Sequence, residues 1–329
     1  MEIIGLPTDK KSKISCSAEP SCNHASVAIL MCTYNGEQFL RQQLDSFYNQ
    51  THKNWVLIVS DDGSTDSTIE ILDEFSKRLN PGQLRVIYGP KKGYVKNFLD
   101  ITRRVESTAD FYAWADQDDI WIENKVEAAL GMLKCYESKV PALYCGRTQL
   151  INESGTSIGH SIKFSREPQF LNALVQSIGG GNTMVFNRSS LELLNRASNG
   201  LDVVSHDWWA YQLISGAGGK VLYDNIARVL YRQHSKNIIG DKRNWLNKAR
   251  HITKVFEGLH LEWNDKNIHA LELTRDCLSN ENKTILDIFK TARKDKFMKR
   301  ISRLFRLGIH RQTFTGNIAL YLAILFGKI

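Results

Sequence analysis

The chain has no long hydrophobic run. Its longest unbroken apolar stretch, Ile318 to Phe326, is far shorter than the roughly 20 residues a bilayer-spanning helix needs. The first 25 residues hold Lys10, Lys11 and Lys13 but no apolar core stretch, so they are expected to be a flexible leader rather than a secretory signal. Cysteine is sparse: six residues, with no CxxC pair and no metal-ligand spacing, which argues against a zinc site or a disulfide scaffold and for reduced thiols in a cytoplasmic protein. There is no GxxxxGK[ST] and no GxGxxG, which argues against a P-loop or the usual dinucleotide fold. Internal repeats and low-complexity segments are absent as well.

What is present is an ordinary globular composition over 329 residues, enough chain for a large core. The net charge of +8 is unevenly spread. Residues 241–329 hold 18 Lys+Arg against 9 Asp+Glu, which leaves residues 1–240 nearly neutral. A neutral first part is thus followed by a basic tail.

Short apolar runs alternate with helical patterns. Residues 26–32, 55–59, 84–88 and 111–115 read as buried strands. Helices are expected after Gly36, after a cap at Ser64 or Thr65 with Ile69, Leu72, Phe75 and Leu79 on one face, and over residues 94–105. This alternation predicts an α/β fold with a mostly parallel sheet whose polar loops at 33–37, 61–66 and 116–119 share one edge, where such sheets keep their ligands. Farther along, a helix is expected near 122–136 and strands at 142–151, 183–186 and 228–232.

The stretch FYAWADQDDIW ends its strand in Asp116, Asp118 and Asp119. Asp116 and Asp118, separated by Gln117, can turn toward one point and hold a divalent cation that grips phosphates; helix caps or a solvated turn are the other reading. The run Gly179-Gly180-Gly181 lets backbone approach a ligand, or is a mobile loop. Asp207, in SHDWW, sits before an expected helix and is either a functional acid or a structural cap.

Six stretches carry a resemblance: MCTYNGEQFL, VSDDGSTDST, ADQDDIW, GGGNTMVFN, SHDWW and YRQHSKN. In this order they resemble family 2 glycosyltransferases of the GT-A fold, and within these the bacterial rhamnosyltransferases of surface polysaccharide synthesis. The resemblance implies a GT-A catalytic domain over residues 26–240 and a basic helical region over 241–329. It implies that Thr33, Tyr34, Asn35, Glu37, Asp61, Asp62, Lys96, Asp116 and Gln117 bind the nucleotide sugar, with Asp61, beside Asp62, receiving the N3–H of the pyrimidine; for Lys96 a solvated helix lysine is the other reading. Asp116, Asp118 and His234 would hold Mn²⁺ or Mg²⁺, and Gly181, Asn182, Trp208 and Trp209 would meet the acceptor. Asp207 falls on the general-base position, preceded by His206 where many members have Glu. The implied reaction is inverting transfer from a dTDP- or UDP-linked sugar, dTDP-L-rhamnose or a UDP-hexose, to a lipid-linked glycan in O-antigen or capsule synthesis.

Two other classes compete. A nucleotidyltransferase would need a basic loop after the first strand, and Thr33 to Glu37 has no Lys or Arg. A non-catalytic module would have no use for the acids and His234 together. In the tail, Ile285, Phe289, Ala292, Phe297, Ile301, Leu304 and Phe305 trace one face of an expected helix from Thr284 onward, with nine basic residues and one acid over residues 290–311. Such a helix either lies peripherally on an anionic membrane or packs on the catalytic domain with a solvated face. Nucleic acid is not expected, because aromatic platforms are not interleaved with the charge.

Overall fold

We describe the fold from a computed structural model, which covers residues 24–136, 139–197, 200–234 and 259–329. The four expected strands form as β1 (Val27–Thr33), β2 (Trp55–Asp61), β3 (Leu84–Tyr88) and β4 (Phe111–Ala115). Every β1 residue is buried. Alternate residues point to opposite faces: Ala28, Leu30 and Cys32 enter one hydrophobic core, and Val27, Ile29 and Met31 the other. This is why the strand reads as continuously apolar. β1 pairs in parallel with β2 and β4, and β2 with β3. Thr33 lies opposite Asp61, so the polar loops leave the sheet side by side.

The connecting helices are α1 (Leu40–Tyr48), α2 (Thr68–Ser76) and α3 (Tyr94–Arg104). α2 starts later than expected and is turned differently. Asp66, not Ser64 or Thr65, serves its first turn, its Oδ1 accepting from the Thr68 backbone N–H (3.1 Å) and hydroxyl (2.5 Å). Ile71, Leu72 and Phe75 face inward while Ile69 is exposed.

The sheet is longer and more mixed than the sequence predicts. β6 (Ala142–Gly146), β9 (Val185–Asn187) and β10 (Lys220–Asp224) extend it to the order β10-β6-β9-β4-β1-β2-β3, with β9 antiparallel to β4 and β6. The expected strand over 142–151 is two strands: β7 (Gln149–Ile151) joins a second sheet with β5 (Ile120–Trp121), β8 (Ser157–His160) and β11 (Val229–Arg232), in the order β5-β11-β7-β8. α4 (Lys125–Leu133), α5 (Phe170–Ala173), α6 (Arg188–Ala197) and α7 (His206–Gly216) complete the sheet region.

The basic tail forms α8 (Leu259–Leu273), α9 (Asn280–Lys294), α10 (Phe297–Leu307) and α11 (Phe314–Leu325). The single amphipathic helix expected from Thr284 is therefore two, broken where Asp295 and Lys296 turn extended (ψ 158° and 155°). Leu286, Phe289, Leu304, Leu320 and Ile324 are buried in the same core as Trp209 and Leu213 of α7. Asn282 Nδ2 donates to the carbonyls of Ser215 and Gly216, which sew α9 to the end of α7. Much of the basic face is occupied: Arg293 pairs with Asp265, Arg300 donates to the carbonyls of Ile324 and Leu325, and Arg303 pairs with Asp295. Residues 1–23 of the expected leader and the expected boundary at 240/241 lie outside the described residues. Among the described residues no helix is long and apolar enough to cross a membrane.

Candidate active site

The loops at the carboxyl edge are stitched by the side chains the sequence singles out. Asp61 accepts four hydrogen bonds, from the N–H groups of Gly63 (3.0 Å) and Ser64 (2.8 Å) on Oδ1 and from the hydroxyls of Thr33 (2.8 Å) and Ser64 (2.5 Å) on Oδ2. A carboxylate offers about four lone-pair sites, so none remains for a pyrimidine. Asp61 thus orders the loop. Asp62 accepts only from the N–H groups of Lys91 (2.6 Å) and Gly93 (2.9 Å), one on each oxygen. It keeps accepting capacity.

Asn35, in the left-handed region at φ 46°, accepts from the Thr65 N–H through its side chain, and its own N–H donates to Ser64. Glu37 accepts from the Ser67 N–H, and its N–H donates to Asp66. The Gln117 amide pairs with both backbone polar groups of Tyr34, at 2.9 and 3.0 Å. A Cβ on Gly36 would sit 2.4 Å from Gln117 Oε1, which explains the glycine. Thr33, Asn35, Glu37 and Gln117 thus tie the loops of this edge together, while Tyr34 stands 59% exposed. Lys96 is directed elsewhere, to the Leu201 carbonyl (2.6 Å) and Asp202 (3.4 Å).

Asp116 follows β4 with Asp118 and Asp207 as its charged neighbours. Burial first, then the charge of Asp118, then that of Asp207, pushes its carboxyl up to about 8, against an opposing pull from Lys125. Asp118 Oδ2 lies 2.8 Å from His234 Nε2. Asp119 is part of the support: it is fully buried, accepting from Asn182 Nδ2 (2.5 Å) and the Arg232 N–H (3.1 Å). Among the described residues no three or more His, Cys, Asp or Glu side chains already converge as a metal cage.

Asp207 lies in the first turn of α7, two residues past the cap position at Ser205. Its Oδ1 accepts from the Ser205 hydroxyl (2.5 Å) and the Trp208 N–H (2.6 Å), and its Oδ2 from the Gly181 N–H (3.2 Å). Oδ2 therefore has a single donor and spare capacity. His206 lies beneath, fully buried, stacked 4.1 Å from the Phe98 ring and edge-on to Trp114, with neither ring nitrogen hydrogen-bonded. Burial lowers its basicity from 6.5 to about 4, so the imidazole is neutral. A Cβ on Gly181 would come 2.3 Å from His206 Nε2, so the position requires glycine.

Most of the expected acceptor residues face inward. Trp209 is fully buried, Trp208 is 6% exposed with its indole N–H on the Ala173 carbonyl, and Asn182 is held by Asp119. These three are core and support groups. Gly181 contributes a backbone N–H to Asp207.

Two site residues escaped the sequence reading. Arg232 is fully buried and donates to the Asp118 carbonyl (3.0 Å), the Glu153 carbonyl (2.8 Å) and Gln42 (2.5 Å), with its guanidinium 4.5 Å above the Phe39 ring. It fixes the DQDD loop to the end of β11, two residues before His234. Its position two residues before His234 is the only signal the sequence offers. Lys125 is buried with its ammonium 3.2 Å over the Trp121 ring and no hydrogen-bond partner; burial pushes its basicity down while Asp119 and Asp116 oppose that shift.

Comparison with known proteins identifies the family and the fold. The family model described as glycosyl transferase family 2 matches residues 28–194. The dTDP-rhamnosyl transferase RfbG of Shigella flexneri is 30% identical over 239 residues, covering 68% of this chain and 78% of RfbG. The UDP-Glc:alpha-D-GlcNAc-diphosphoundecaprenol beta-1,3-glucosyltransferase WfgD of Escherichia coli is 30% identical over 132 residues, 39% of this chain and 47% of WfgD. Among solved structures, S. aureus TarS 1–349 in complex with UDP-GlcNAc superposes with a TM-score of 0.51 at 14% identity, over 92% of this chain and 90% of that one. GalNAc-T7 with UDP, GalNAc and Mn²⁺ gives 0.55 at 13% identity, over 91% and 58%. The fold is that of the GT-A glycosyltransferases, and the chain belongs to glycosyl transferase family 2.

Proposed function

We propose that this glycosyltransferase is inverting and divalent-metal-dependent, moving L-rhamnose from dTDP-L-rhamnose to a lipid-linked glycan during surface polysaccharide synthesis. The observation that carries the reading is the meeting of Asp116, Asp118 and Asp207 at the carboxyl edge of the sheet, with one strand, β1, between them and Asp62. Similarity to RfbG over most of both chains supports the rhamnosyl donor, and the diphosphoundecaprenol in the name of WfgD supports a lipid-linked acceptor at a membrane surface.

In this reading the base of the nucleotide donates its N3–H to Asp62, with Tyr34 beside it. Asp116, Asp118 and His234 fit Mn²⁺ or Mg²⁺: two hard carboxylates that repel each other, plus an imidazole already touching one of them. When bound, the ion neutralises charge on the leaving nucleoside diphosphate. Asp207 Oδ2, oriented by Gly181, takes the proton of the acceptor hydroxyl while that oxygen attacks the anomeric carbon. Attack opposite the leaving group inverts the centre.

A UDP-hexose donor is the second reading, favoured by the similarity to WfgD. Uracil and thymine share the N3–H that Asp62 would accept, so Asp62 serves both. The test is thermal shift with dTDP-rhamnose, UDP-glucose and GDP-mannose, each with and without Mn²⁺, because a ligand that binds the folded state raises Tm. A Mn²⁺-dependent rise with dTDP-rhamnose that Asp118→Ala abolishes is expected. A rise with GDP-mannose alone, or transfer unchanged in EDTA, overturns the reading.

A further inference from the structure

α11 is apolar where a surface helix is polar. It holds no charged residue, and Asn317, Leu320 and Ile324 face the core. On its other side Phe314, Ile318, Tyr321, Leu322 and Leu325 are exposed, at spacings of three and four that make one continuous stripe. A helix apolar all round belongs inside a protein, so this one has a face without a cover. The stripe continues onto α10, where Phe305, 51% exposed, stacks on Tyr321 with centroids 4.7 Å apart. Met298, 74% exposed, extends it toward the start of α10.

The charge along α10 and α11 has one sign. From Ile288 to the end of the chain Asp295 is the sole acid, among ten Lys and Arg. Asp295 is flanked by two cations, Arg303 (3.0 Å) and the more distant Lys299 (3.4 Å), so the cluster keeps a net positive charge and Lys299 stays 59% exposed. On α10 the exposed Lys299 and Arg306 follow the apolar residues round the helix, and Lys294 and Lys296 are exposed just ahead of it. A second copy would bring the same positive rim against itself. A one-sided apolar stripe on a short helix, edged by cations, matches the boundary layer of an anionic bilayer, where the helix lies in the plane instead of crossing it.

We propose that the outward face of α10 and α11 docks on an anionic membrane surface, with Phe314, Leu322 and Phe305 entering the headgroup boundary and Lys299 and Arg306 meeting lipid phosphates. The face is tied to the candidate base. Asn172 of α5 accepts from Tyr211 of α7 (2.9 Å) and from Gln312 (3.3 Å), and donates to the His310 carbonyl (2.9 Å), so the turn before α11 and the helix bearing Asp207 are joined through one side chain. Docking would hold Asp207 in a set attitude to the membrane. The proposal deepens the lipid-linked acceptor reading and rests on it for its purpose. Its test uses neither donor nor acceptor, so failure here leaves the transfer chemistry standing.

The experiment is flotation of the full-length protein with vesicles of phosphatidylcholine alone or mixed with phosphatidylglycerol, at low and high salt. Co-flotation with phosphatidylglycerol vesicles at low salt is expected, weakening at high salt and absent with phosphatidylcholine. Each basic charge near the surface is worth about fivefold in partition, so Lys299→Gln with Arg306→Gln should lower it about 25-fold. Phe314→Ser with Leu322→Ser should lower it at least as much, with Tm unchanged. Wild type that stays unbound at low salt overturns the proposal, as do variants that float like wild type. Sedimentation that shows a dimer lost on Phe314→Ser, without vesicle binding, overturns it in favour of a second copy. Should the serine variant fail to fold, the lipid and salt dependence of the wild type still decides.

Discussion

His206 makes stability depend on acid in a way that can be worked out beforehand. Its ring is enclosed by Phe98, Trp114 and Tyr94 with neither nitrogen hydrogen-bonded, and burial lowers its pKa from 6.5 to about 4. The folded state thus resists a proton that the unfolded chain accepts. Stability from this group is complete above 6.5 and is lost as pH falls toward 4, because in that window the unfolded chain binds more protons. For these two values the loss between pH 7 and pH 5 is about 2 kcal/mol, and the full loss below pH 4 is about 3 kcal/mol. Asp116 acts in the opposite sense, since its raised pKa favours the folded state in acid, so the wild-type profile alone mixes the two. The assay is urea denaturation at pH 7 and pH 5 of wild type and His206→Gln, whose amide fills the site but does not titrate in this range. Gln costs stability at both pH values, yet the wild type should lose about 2 kcal/mol more than the variant on acidification. Equal losses would refute a neutral, buried His206. It would then be protonated in the folded state or reached by water, and the tight contact with Gly181 could not be as described.

Asp207→Asn should lower transfer by a factor of about 10² to 10⁴ while the donor-induced Tm rise persists, since the amide cannot take the acceptor proton; an unchanged rate with a lowered Tm would leave Asp207 a capping residue only. Arg232→Met should destabilise the fold by about 1 to 3 kcal/mol in chemical denaturation, because it removes the donor shared by the Asp118 and Glu153 carbonyls and Gln42 Oε1; a loss under about 0.5 kcal/mol would mean these acceptors find other partners. Deleting residues 284–329 should yield insoluble or unfolded protein, because it strips Leu286, Phe289, Leu304 and Ile324 from the shared core; a truncated chain with native circular dichroism would show that the tail is separable after all.

The first half of the fold is legible in sequence because each of its parallel strands is an apolar run closed by a polar loop, and strand-helix alternation sends those loops to one edge. That is enough to bring Thr33, Asp61 and Asp116 together before any coordinates exist. Beyond β4 the signal fades for physical reasons. β5 has two residues and β7 and β9 three each, too few for periodicity to show, and β6 and β7 run almost together although they serve different sheets. The tail misleads in another way. Its apolar spacing is real, but Asp295 breaks the helix, and the basic residues that look like a solvated face are partly spent on helix ends and carbonyls.

At the site, residue type was a better guide than residue role. Asp61 and Asp62 look equivalent in the sequence, and only their donors separate them: four for Asp61 against two for Asp62. Trp208 and Trp209 suggest a sugar platform by type, yet α7 is buried along nearly its whole length, so aromatic residues there pack on other helices and leave its first-turn acid at the rim. The same geometry accounts for His206. A carboxylate at that position would lie between Phe98 and Trp114 with no donor and would face Asp207 at close range, whereas a neutral imidazole can be buried there without an opposing charge. No second acid therefore stands beside Asp207 in the chain, and the residue before it acts as a wedge against Gly181, whose N–H in turn donates to Oδ2 of Asp207.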